Sequence, residues 1–173
     1  MTKNIEHHIF LIGFMGVGKS TIARALQREL GFPLIEMDER IVKEQGMSIN
    51  EIFERYGEDR FRDIESRLIL DIGKESPSIV SCGGGVVVRQ ENTKNMKACG
   101  KIVFLTATPE TIYERVKNST DRPILNGHMN VEYIAQLMEK RRALYEAAAD
   151  VAIATDKKTR EEIVREITGY LQR

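Results

Sequence analysis

The sequence predicts an α/β fold in which a parallel sheet is covered on both faces by helices, a three-layer α/β/α architecture. Three observations predict it. Short apolar runs alternate with amphipathic stretches along all 173 residues, the order expected of parallel strands joined by helical crossovers. Hydrophobic residues make up 42% and charged residues 30%, so the chain can bury a core and is not disordered. The first apolar run also opens into a glycine-rich loop followed by a helical pattern, a strand–loop–helix order. A chain of this length without a repeat, low-complexity tract or linker is expected to form one domain, 1–173.

Residues 9–12 (IFLI) read as a buried strand, and 20–30 as a helix that Gly31 ends. The run 33–37 (PLIEM) reads as a second strand. Short helices are expected over 39–45 and 49–56, stopped by Gly46 and Gly57, and a longer one over 58–74. Residues 78–81 and 101–106 supply a third and a fourth strand. A helix over 109–116 precedes the polar stretch KNSTDRPILNGHMN, and a long helix over 131–147 follows it. VAIA (151–154) is a last short strand and 160–172 a terminal helix.

Lys+Arg 26 balance Asp+Glu 26, so no global charge draws nucleic acid or a membrane surface, and anion binding has to come from local clusters. Cys82 and Cys99 lie too far apart for a local metal motif, and reduced thiols are expected. The N-terminal stretch lacks a signal-peptide pattern and no apolar run approaches a membrane span, which leads us to expect a cytoplasmic protein. No exposed heptad or long apolar patch argues against a monomer.

GFMGVGKS, Gly13 to Ser20, matches G-x-x-x-x-G-K-[ST] in full, between a strand and a helix. Its glycines let backbone N–H groups wrap a phosphate chain, and the following helix N-terminus favours negative charge. Lys19 would reach the outer phosphates, and Ser20 would offer its hydroxyl to Mg²⁺. The motif makes this a nucleoside triphosphate site. A GTPase should also carry Asn-Lys-x-Asp, which TDKK (155–158) does not match. An ATPase motor should end a later strand with an acid, yet the third strand runs into IVSCGGG. Carboxylates instead follow the second strand, in IEMDER. Glu36 and Asp38 sit where open α/β sheets bind ligands, one suited to holding Mg²⁺ through water, the other to accepting a hydroxyl proton. The plainer alternative is an acidic loop capping the next helix.

Two charges fall on apolar faces. Ile134, Leu137, Met138, Leu144 and Tyr145 form one stripe at helical spacing, and Arg141 lies in its middle. Phe61, Ile64, Leu68 and Ile72 form another, with Glu65 inside it and Arg62 at its edge, three residues away. A buried guanidinium is costly unless an anion pairs with it. Snorkelling of Arg141 and an internal Arg62–Glu65 pair are one account; a two-arginine clamp on a small carboxylate or phosphate is the other. The segment 115–127, rich in turn formers and carrying Arg122 before Pro123, is a lid candidate (about 117–128) or an ordinary surface loop. VSCGGGVVVR (80–89) poses a last question, since three consecutive glycines are costly unless a turn or a close backbone approach needs them.

Together these segments resemble shikimate kinase. That family combines a P-loop, Asp-x-Asp after the second strand, a Phe-Arg-x-x-Glu helix, a Gly-Gly-Gly loop, an Arg-Pro-Leu-Leu lid and a Lys-Arg-x-x-Leu-Tyr helix. This chain carries GFMGVGKS, EMD, FRDIE, CGGG, RPIL and KRRALY in the same order and spacing. The resemblance implies a five-stranded parallel sheet of the nucleoside-monophosphate-kinase type. It also implies ATP-dependent phosphorylation of the 3-hydroxyl of shikimate, with Mg²⁺.

By position, Gly13, Gly16, Val17, Gly18, Lys19, Ser20 and Thr21 would hold the nucleotide phosphates. Arg122 would reach them from the lid, and Arg115 would pack against adenine. Asp38 would contact the ring hydroxyls as base or orienter. Arg62 and Arg141 would hold the shikimate carboxylate, with Glu65 beside them, and Gly83, Gly84 and Gly85 would floor the substrate pocket. Ser20 and Glu36 would serve the metal. The sequence departs from the family at Glu36, where Asp is usual, and at Ile124, where Leu is usual. A gluconate or nucleoside-monophosphate kinase of the same architecture is the nearest rival, and a nucleotide-binding regulatory module a more distant one.

Overall fold

The computed structural model describes residues 5–118 and 130–173. Five parallel strands, β1 (His8–Ile12), β2 (Leu34–Glu36), β3 (Ile79–Ser81), β4 (Gly100–Thr106) and β5 (Val151–Ala154), form one sheet in the order β2-β3-β1-β4-β5. The central strand β1 is buried at every position, as a strand covered on both faces must be. Its side chains alternate between two cores. Ile9 and Leu11 pack with Ile22 and Leu26 of α1 (Lys19–Leu30) and with Ile163 and Ile167 of α7 (Arg160–Leu171). Phe10 and Ile12 face the other side, against Leu68, Ile69 and Ile72 of α3 (Ile49–Ile72) and Met96 of α4 (Gln90–Cys99).

Most expected elements are present, with instructive differences. The helical run α3 is interrupted at Gly57, whose φ 81° and ψ 172° are not helical, so the two helices expected on either side of it are present and meet there at a kink. The second strand ends at Glu36, so Met37 is not its last residue but begins α2 (Met37–Gln45), placing Asp38 in the first helical turn. Met37 is fully buried, and that burial suits a helix start as well as a strand end. No element is expected from the sequence between 82 and 100, where the chain forms a 3₁₀ turn, Val86–Val88, and then α4. Only Asn92 and Met96 of α4 are buried, so it presents no apolar stripe.

The remaining helices are α5 (Pro109–Val116) and α6 (Val131–Ala148). Their starts are capped by Thr108 and Asn130, whose side chains accept from the backbone N–H groups of Thr111 and Tyr133. Residues 119–129, which include Arg122 and Ile124 of the expected lid, lie outside the described residues. Among the described residues no helix is long and apolar enough to cross a membrane. Neither cysteine is paired.

Candidate active site

At the C-terminal ends of β1, β2 and β3 opens a cleft of about 480 Å³, lined by Lys19, Ser20, Thr21, Glu36, Asp38, Gly83, Gly84 and Arg115 among others. This is where open parallel sheets bind ligands, and the loop after β1 supplies its base. Gly13 takes φ 148°, and a Cβ there would lie 2.5 Å from the carbonyl oxygen of Leu105, so only glycine fits. The loop ends at Gly18, φ 103°, which caps α1; no acidic residue in the first turn neutralises that helix terminus.

Lys19 Nζ donates to the carbonyl oxygens of Gly13 (2.7 Å) and Phe14 (3.1 Å), laying its chain along the loop. Arg115 on α5 grips the same loop, donating to the Val17 carbonyl at 2.7 Å and lying 3.5 Å from the Thr155 hydroxyl. The role expected of Arg115 is at adenine, and nothing near it in the sequence signals this hold on the loop backbone.

Ser20 Oγ donates to Glu36 Oε2 at 2.9 Å and lies 3.5 Å from Ser81 Oγ. Glu36 Oε1 is buried with no hydrogen-bond partner, although Arg24 approaches to 3.8 Å. A hydroxyl and a partly unsatisfied carboxylate side by side are hard oxygen donors of the kind Mg²⁺ takes, alongside substrate phosphates. Among the described residues no cluster of three or more His, Cys, Asp or Glu competes for a metal. Cys82 lines the cleft floor, and burial pushes its thiol well above the usual range, so it acts as an apolar wall.

Behind the cleft lie the misplaced charges. Arg62 and Glu65 on α3 are buried, as is Arg141 on α6, at 4%, 0% and 7% exposure. Arg62 donates to Glu65 Oε1 at 3.0 Å and to Glu58 Oε1 at 3.1 Å. Burial pushes the Glu65 carboxyl above its ordinary range, against the pull of Arg62; the nearby Asp38 adds to the rise and Arg141 opposes it. The four charges therefore converge on one place.

Their hydrogen bonding is incomplete: Arg62 Nε, Glu65 Oε2 and Arg141 Nη1 are buried without a hydrogen-bond partner. Buried polar atoms left open in this way carry a substantial desolvation cost. Snorkelling does not describe Arg141, and an ion pair with Glu65 does not use all of Arg62.

The three glycines after β3 sit between these groups and the phosphate loop. A Cβ on Gly83 would lie 2.9 Å from Glu65 Oε2 and 3.1 Å from Asp38 Oδ1. On Gly84 it would lie 3.1 Å from the backbone nitrogen of Met15, and on Gly85 2.3–2.5 Å from three atoms of the Arg62 guanidinium. Close approach is what these residues serve. The sequence places Tyr145 in an apolar stripe and in the KRRALY motif but signals no partner for its hydroxyl, which donates to the Gly84 carbonyl.

A family model for shikimate kinase matches residues 15–172. The chain is 42% identical over 165 residues to the shikimate kinase of Geobacter metallireducens, covering 95% of this chain and 92% of that protein. It is similar in structure to the shikimate kinase of Acinetobacter baumannii, solved in complex with shikimate. The TM-score is 0.92 at 27% identity, over 97% of this chain and 94% of that one. The shikimate kinase of Aquifex aeolicus gives a TM-score of 0.82 at 37% identity, over 95% and 96% of the two chains. On a family model that matches residues 15–172 and a relative 42% identical across 95% of this chain, the chain belongs to the shikimate kinase family.

Proposed function

We propose that the chain transfers the γ-phosphoryl group of ATP to the 3-hydroxyl of shikimate, giving shikimate 3-phosphate and ADP. The observation that carries this reading is the buried pair Arg62 and Arg141, with open donor atoms beside a glycine floor and next to a phosphate loop. A planar guanidinium matches a carboxylate with two parallel hydrogen bonds, and two of them on different helices fix its position and orientation. Shikimate brings one carboxylate and ring hydroxyls; Arg62 and Arg141 take the first, and Asp38, beside Gly83, takes the second.

The backbone from Gly13 to Gly18 and the start of α1, including Thr21, hold the phosphates. Lys19 leaves its carbonyl partners to neutralise the charge that develops on the transferred group. Ser20 and Glu36 would hold Mg²⁺, which would supply charge neutralisation to the phosphates. Glu36 is one methylene longer than Asp, and its bond to Ser20 places its carboxylate at the loop all the same. Asp38 orients the attacking hydroxyl and accepts its proton. Arg122 from the 119–129 segment adds a further positive charge. Little covalent chemistry falls to the protein: positioning and electrostatics dominate phosphoryl transfer.

The test is ADP release in a coupled assay with MgATP and shikimate, gluconate or AMP added in turn. Turnover dependent on shikimate alone is expected. Turnover with gluconate or AMP in its place would assign the site to a different acceptor.

A further inference from the structure

Tyr145 lies on α6 four residues beyond Arg141, hence on the same helix face one turn later. Its ring is 2% exposed and stacks on Phe104 of β4, with centroids 4.9 Å apart and planes 18° from parallel. Its hydroxyl donates to the carbonyl oxygen of Gly84. Gly84 in turn lies against the backbone of Met15 in the phosphate loop, and its neighbour Gly85 lies against the face of the Arg62 guanidinium. One hydroxyl thus ties the helix that carries Arg141 to the strip of backbone against which Arg62 rests.

We propose that Tyr145 is a positioning residue: by anchoring Gly84 to α6 it fixes the separation of Arg62 and Arg141, and so tunes the site to a carboxylate. The inference rests on the reading of those two arginines as the carboxylate clamp. Burial pushes the phenol above its ordinary range, against the pull of Arg141, which also hydrogen-bonds the hydroxyl, so the hydroxyl keeps the proton it donates to Gly84 and is tied to Arg141 as well. Packing alone would need only the ring on Phe104, and a phenylalanine would supply it. The hydroxyl has a separate task.

The experiment is steady-state kinetics of Tyr145→Phe, which keeps the ring and removes the donor. The KM for shikimate is expected to rise roughly three- to tenfold, the scale of one net hydrogen bond, while kcat and the KM for ATP stay within about twofold. Arg141→Lys should raise the same KM, and the double variant should fall short of the product of the two single effects, because both act on one geometry. Phe104→Leu, which removes the platform under the ring but keeps the hydroxyl, is the packing control and should raise the shikimate KM less than Tyr145→Phe does. An unchanged shikimate KM, or parallel rises in both KM values, would overturn the proposal. Failure of the clamp reading looks different: Arg141→Lys would then leave the shikimate KM untouched.

Discussion

Replacing Gly85 by alanine isolates one contact. Gly85 adopts φ −98° and ψ 11°, a conformation alanine accepts, so the backbone is not strained by the change. The added Cβ would however stand 2.3–2.5 Å from Nη2, Nη1 and Cζ of Arg62. Ordinary contact begins at 3.4 Å, so the guanidinium must retreat by about 1 Å. Arg62 donates to Glu65 at 3.0 Å, and a shift of that size carries the bond past the range of a hydrogen bond. It also withdraws the fork from the substrate carboxylate. One charge-assisted hydrogen bond is worth about 1.5–3 kcal/mol, which corresponds to a rise of roughly ten- to a hundredfold in the shikimate KM. The assay is initial-rate kinetics with each substrate varied, beside Gly169→Ala as control. Gly169 is exposed on α7 with open space around it, and alanine there should stabilise by up to about 1 kcal/mol without touching either KM. A Gly85→Ala enzyme with wild-type affinity for shikimate would refute the close-approach account of the glycine triplet.

Lys19→Ala and Asp38→Ala should each lower kcat by at least about 10²-fold, the scale for removing one key electrostatic group, and near-normal turnover in either would sink its assigned role. Arg141→Ala should chiefly weaken shikimate binding, by about 2–5 kcal/mol, since it strips a desolvated partner from a charge; titration calorimetry reads it directly. His8 gives a pH effect on stability. It is 3% exposed, its Nδ1 accepts the Ser78 N–H at 3.1 Å, and burial holds its pKa below the ordinary 6.5. The unfolded chain therefore binds a proton that the folded chain resists, so stability falls as pH drops below about 6.5. Thermal melts from pH 7.5 to 5 should show a shallower loss in His8→Gln than in the parent, and parallel curves would remove His8 as a cause.

The parts of this fold legible in the sequence are those with a local signature. The phosphate loop follows from glycine spacing plus Lys19 and Ser20, and the break between helices at Gly57 from the glycine itself, which takes the positive φ a stop there requires. Arg62, Glu65 and Arg141 betrayed themselves by interrupting apolar stripes, and their burial is what the interruption meant. Features that depend on distant partners were not legible. Helix α4 buries too little apolar surface to show a period; the need for a crossover between the parallel strands β3 and β4 was the only hint of it. The grip of Arg115 on the Val17 carbonyl spans 98 positions, and that of Tyr145 on Gly84 spans 61, and neither leaves a mark on its neighbours in sequence. Asp38 was placed beside the right strand, but its position in the first turn of α2 turned on whether Met37 closes a strand or opens a helix.

The orientation of bound shikimate decides which oxygen receives the phosphate. Incubating the enzyme with MgATP and shikimate and locating the new phosphoester by ³¹P–¹H correlation NMR identifies that oxygen. Coupling of phosphorus to the proton at C3, with one ADP formed per ester, is the predicted result. A phosphate on another ring hydroxyl, or ADP formed without any ester, would contradict the orientation that Arg62, Arg141 and Asp38 are argued to impose.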